Sequence, residues 1–78
     1  PKAEEVKEIM KMSSASKRLA AYFELYPNVV IEPIKLQSIA NVRDWERTLR
    51  MVRTNKGMDI SWIRPNTKYP MGGYIYNK

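Results

Sequence analysis

Seventy-eight residues with no cysteine and no histidine leave room for one modest apolar nucleus and no second one. Without thiols or imidazoles the chain has no disulfide, no thiolate nucleophile, no zinc-ribbon ligands and none of the commonest general bases, so most enzyme classes are excluded at the outset. Fourteen Lys and Arg against eight Asp and Glu give a net charge of +6, which points toward an anionic partner, although many small basic domains carry such a balance without one.

From Lys2 to Met12, Val6, Ile9 and Met10 recur among Glu4, Glu5, Lys7, Glu8 and Lys11 at helical spacing, which predicts a short helix or arm over residues 1–12 ahead of a domain spanning 13–78. Ser13 and Ser14 offer caps for a helix from Ala15 to Tyr26, in which Leu19, Tyr22, Phe23 and Tyr26 take the i, i+3, i+4, i+7 positions of an amphipathic face. Pro27 and Asn28 stop it, and the β-branched run Val29-Val30-Ile31 predicts a short extended segment. Pro33 then stands where a helix favours its first residue, and the following turns bury Ile34 or Leu36 together with Ile39.

Ala40-Asn41-Val42 reads as a turn, after which Asp44 or Asn41 caps a helix from Arg43 to about Asn55, closed by Gly57 in the place of a left-handed C-cap. Met58, Ile60 and Trp62 alternate with Asp59, Ser61 and Ile63 as in a half-buried strand. Arg64 to Gly72, stiffened by Pro65 and Pro70, is a loop. Gly73 to Tyr76 returns as a strand, with Tyr74 and Tyr76 on one face and Ile75 on the other. This order predicts an α+β fold, a small winged helix: a three-helix helix-turn-helix core, a C-terminal β-hairpin wing and an extra N-terminal helix or arm. No apolar run approaches a membrane span and no secretion signal opens the chain, so a cytoplasmic protein with no membrane partner is expected.

On a wheel of the helix beginning at Arg43, Trp45, Leu49 and Val52 gather on one side, with Arg43, Arg47, Arg50 and Thr54 almost opposite. Guanidinium forks in a row can pair bidentately with guanine or clamp phosphate oxygens, and Met51 beside them can meet a thymine methyl. The competing expectation is an ordinary solvated face in which Asp44 and Glu46 pair with Arg47 and Arg50. The helix-turn-helix context and the basic loop favour the DNA reading, and residues 43–56 hold five basic residues against two acidic, half of the net charge of the chain. Lys35, Gln37 and Ser38 on the preceding helix are candidates for phosphate contact. So are Arg64 and Lys68 of the loop, with Asn66, Thr67 and Tyr69 beside them.

Tyr22, Phe23, Trp45 and Trp62 are spaced as core, and Tyr74 and Tyr76 as hairpin packing. The acids Glu24, Glu32, Asp44, Glu46 and Asp59 are scattered over separate elements and form no nuclease pattern. No catalytic residue, metal, cofactor or small-molecule substrate is expected.

The stretch Leu36-Gln37-Ser38-Ile39-Ala40, the register W-x-R-x-x-R-x-x-R of Trp45, Arg47, Arg50 and Arg53 with Gly57 four residues on, and the closing Met71-Gly72-Gly73-Tyr74-Ile75-Tyr76 resemble the winged-helix module found beside HNH nuclease domains in bacterial restriction-type endonucleases. The resemblance covers roughly Leu19 to Tyr76. It implies sequence-specific binding of double-stranded DNA through the helix holding Arg47 and Arg50, with Trp45 and Leu49 in the core and cutting done by a neighbouring nuclease domain. No HNH motif is present in the chain, which leaves a stand-alone transcriptional regulator, a homodimer, or a winged helix that docks proteins as the other expectations.

Overall fold

The computed structural model describes residues Lys2–Lys78, and residue 1 of the expected arm lies outside them. Four helices are followed by a two-stranded antiparallel hairpin: α1 (Lys2–Met10), α2 (Ala15–Leu25), α3 (Pro33–Ala40), α4 (Trp45–Asn55), β1 (Ile60–Ile63) and β2 (Gly73–Tyr76). The class is α+β.

Local chemistry explains most of the boundaries. α1 stops at Met10, and its last turn tightens through bonds from the Lys11 and Met12 amides to the carbonyls of Glu8 and Ile9. Ser14 caps α2, its hydroxyl accepting from the Lys17 amide at 3.4 Å. Pro33 begins α3, where its missing N–H costs nothing. Asn41 adopts φ 53°, and its amide donates to the Gln37 carbonyl at 2.9 Å. It therefore ends α3 and does not start α4. Asp44 starts α4 without a side-chain cap; its carbonyl accepts from both the amide and the hydroxyl of Thr48. Helix α4 begins at Trp45, two residues after the expected Arg43, and Gly57 (φ 63°) turns the chain just past its end.

The extended segment before α3 contributes a single bridge. Ile31 exchanges backbone bonds with Tyr74 at 2.8 and 3.0 Å, so β2 lies between Ile31 and β1, whose Ile60 faces Tyr76 and whose Trp62 faces Tyr74. The crossing is tight: a Cβ on Gly73 would lie 2.6 Å from a Val30 methyl carbon and 2.8 Å from the Ile31 carbonyl oxygen. Only a residue without a side chain lets the bridge close.

Phe23 and Leu19 of α2, Leu36 of α3 and Leu49 and Val52 of α4 fill the centre, with Ile9, Ile31, Ile39 and Ile60 around them. Both Ile34 and Leu36 were open to burial. The structure chooses Leu36 and leaves Ile34 69% exposed, because a helix of eight residues has one inward line only.

Two aromatic expectations are corrected. Trp62 is 48% exposed, not core: the hairpin extends past the helices, and the alternation that buries Ile60 carries Trp62 beyond the edge of the nucleus. Trp45 is half-buried, its ring meeting Tyr74 edge-on at 6.3 Å. Trp45→Ala should therefore cost about 1–3 kcal/mol and keep a cooperative transition, against about 3–5 kcal/mol for Phe23→Ala, in urea melts followed by circular dichroism.

One buried residue carries a charge. Arg18 of α2 donates from Nε to the Ile39 carbonyl at 3.0 Å, from one terminal nitrogen to the Ala40 carbonyl at 2.6 Å and from the other to the Met12 carbonyl. Its guanidinium thus satisfies orphan carbonyls at the C-terminus of α3, the negative end of that helix, and ties down the link between α1 and α2. No sequence pattern marks it, since an arginine on an amphipathic helix reads as surface.

Candidate nucleic-acid interface

The inward line of α4 is Leu49 and Val52, 2% and 0% exposed. Helical geometry then turns Arg47, Arg50 and Thr54 outward, and all of them, with Met51 and the preceding Arg43, are exposed. Arg53 is exposed as well, on the flank of the stripe. The ion pairs among the described residues are Lys11 with Glu8 and Lys78 with Glu24, each at 3.2 Å. Asp44 and Glu46 make none, so every arginine of α4 keeps its donors free.

Neighbouring elements extend this surface on two sides. Gln37 of α3 lies beside Arg43 in a shallow recess that also includes Asn41 and Val42. At the other end a polar cleft lies between α4 and the start of β1, bringing Arg50, Arg53 and Thr54 together with Met58 and Asp59. The remaining candidates on α3 stand apart. Lys35 belongs to a recess with Tyr22, Tyr26 and Ile31, and the exposed Ser38 hydroxyl donates back to the Ile34 carbonyl at 3.1 Å.

The loop between the strands is ordered by Asn66. Its side-chain oxygen accepts from the amides of Lys68 and Tyr69, both at 2.9 Å, and its side-chain nitrogen donates to the Arg64 carbonyl at 3.1 Å. These bonds form an Asx turn, so Asn66 shapes the loop with its side chain and does not offer it to phosphate. Arg64 and Lys68 stay exposed at either side of that turn, the Lys68 ammonium 5.6 Å from the centre of the Tyr69 ring.

Where the hairpin meets α4, burial and then the Glu46 carboxylate push the Tyr74 phenol above its ordinary value, while Arg53 and Arg50 act in the opposite direction. The root of the hairpin therefore lies within the electrostatic reach of the arginine helix. No helix among the described residues is long and apolar enough to cross a membrane. No protein-family model, curated protein or solved structure matches the chain.

Proposed function

We propose that the chain is a winged helix that recognises double-stranded DNA, with α4 entering the major groove and the β1–β2 loop, the wing, touching the backbone alongside. The observation that carries this reading is the row of exposed arginines on α4, none with a carboxylate partner, opposite a buried Leu49 and Val52. Three unpaired guanidinium groups on one small helix, with that of Arg43 just ahead of it, repel one another, and a polyanion relieves that repulsion while accepting their hydrogen bonds. The order of elements supports the same reading, as does the resemblance to the recognition modules of restriction-type endonucleases, in which cutting belongs to another domain.

A second reading, a protein-docking winged helix, draws on the apolar groove between α1 and α2 lined by Ile9, Met12, Ala21 and Leu25. Titration of labelled duplex DNA at two salt concentrations separates them. DNA binding through phosphates gives an affinity that falls steeply with salt, and absence of duplex binding at low salt would favour the groove.

The wing makes its own prediction. Replacing Arg64 and Lys68 together by alanine should lower affinity for cognate and random duplexes by a similar factor, and make the slope of log affinity against log salt shallower by up to about two units. Loss of discrimination between sequences at a parental slope would mean that the loop reads bases.

A further inference from the structure

Three aromatic rings meet at the root of the hairpin, Trp62 exposed and Trp45 and Tyr74 half-buried, and neither the arginine stripe nor the loop accounts for them. Trp45 from the first turn of α4, Trp62 from β1 and Tyr74 from β2 converge there. Trp62 and Tyr74 have ring centres 5.0 Å apart and Trp45 meets Tyr74 edge-on at 6.3 Å. With Pro33 and Glu46 they line an open recess of about 370 Å³. The Trp62 ring is held in place. Gly72, at φ +74°, passes so close beneath it that a Cβ there would lie 2.7 Å from the indole Cη2. A half-exposed ring already seated in this way loses little freedom when a ligand covers it.

Charge beside the recess is laid out along α4. Among the described residues Glu46, in the lining, has no ion-pair partner, while Arg50 and Arg53 follow it one and two turns along the same side of α4 and line the adjoining cleft. A flat ligand with a donor at the edge that meets Glu46, and negative charge trailing from it along α4, matches this arrangement. We propose that the recess binds an unpaired nucleobase bearing an exocyclic amino group, stacked against Trp62, its amine donating to Glu46 and its strand's phosphates directed toward Arg50 and Arg53. The proposal rests on the DNA-binding reading for the approach of the strand.

Stacking supplies affinity that any base can use. The carboxylate supplies choice, since adenine, cytosine and guanine carry an amine donor and thymine does not. A quaternary ammonium also suits aromatic rings beside a carboxylate, but a chain of net charge +6 with two arginines in the adjoining cleft opposes a free cation and favours a ligand that brings phosphates.

Both tryptophans of the chain line this recess, so intrinsic fluorescence reports on it directly. Single-stranded hexanucleotides of deoxycytidine or deoxyadenosine should quench the emission saturably, with hexathymidine binding several-fold more weakly. Glu46→Ala, an exposed change, should remove that difference. Trp62→Ala, followed by anisotropy of a labelled hexacytidine because the reporter is lost, should weaken binding about tenfold or more. In the parent a duplex with one bulged cytosine should bind more tightly than the fully paired duplex, and Trp62→Ala should abolish that gain while leaving paired-duplex affinity unchanged.

Absence of quenching by any hexanucleotide, equal affinity for thymidine and cytidine, or quenching by tetramethylammonium alone would overturn the proposal. If the paired duplex fails to bind while the hexanucleotides quench, the reading of α4 falls and the recess stands. Paired-duplex binding with no gain from the bulge sinks the recess alone.

Discussion

The double variant Arg47→Ala/Arg50→Ala should lose about 2–6 kcal/mol of specific duplex affinity, since each guanidinium that pairs bidentately with a base is worth about 1–3 kcal/mol. The two side chains are one turn apart on the outer face of α4, both exposed and neither in an ion pair. Removing them should leave the melting transition close to the parent's, and each single variant should show part of the loss. Non-specific binding should weaken less, because Arg43, Arg53 and the loop cations still meet phosphates. Filter binding with a selected duplex and a random one, at fixed salt, measures both terms. Parental affinity of the double variant for every duplex would remove α4 from the interface.

The largest stability effect is expected from Arg18→Met. Methionine keeps an unbranched apolar stem of similar length but withdraws the donors from the carbonyls of Met12, Ile39 and Ala40. Those oxygens lie at the end of α3 and in the α1–α2 link, where the guanidinium is their side-chain partner, and leaving such groups unpaired should cost about 3–5 kcal/mol. A domain this small has roughly 5 kcal/mol of stability in all, so the variant should be partly unfolded at room temperature. Arg18→Lys should recover a fraction of the loss, because one ammonium cannot span three separated acceptors. Urea melts followed by circular dichroism give the values. A midpoint unchanged in Arg18→Met would mean that water replaces the guanidinium without penalty, and that Arg18 is not the tie between α2 and α3.

The sequence by itself determined the features that depend on neighbours within one turn of the chain. The phase of α4 follows from Leu49 and Val52 at i and i+3, and once they face inward, helical geometry turns Arg47 and Arg50 to the opposite side. Proline at the start of α3, the serine cap of α2 and glycine just past α4 mark boundaries because each satisfies a purely local backbone requirement. The hairpin strands were legible from alternation and the extended segment at Ile31 from its β-branched neighbours, but its bridge to Tyr74 was not. Where a residue had two locally equivalent futures, only the tertiary structure decided. Ile34 and Leu36 fit a short helix equally well until α2 covered one line of it, and Asn41 suits either helix end until the chain takes φ 53° there. Trp62 has the spacing of a core residue, but burial depends on how far the helices reach along the hairpin, a distance no local pattern encodes. Arg18 is the extreme case: its acceptors on α3 lie 21 and 22 residues away, and only the packing of α2 against α3 turns an unremarkable surface cation into the buried tie between them.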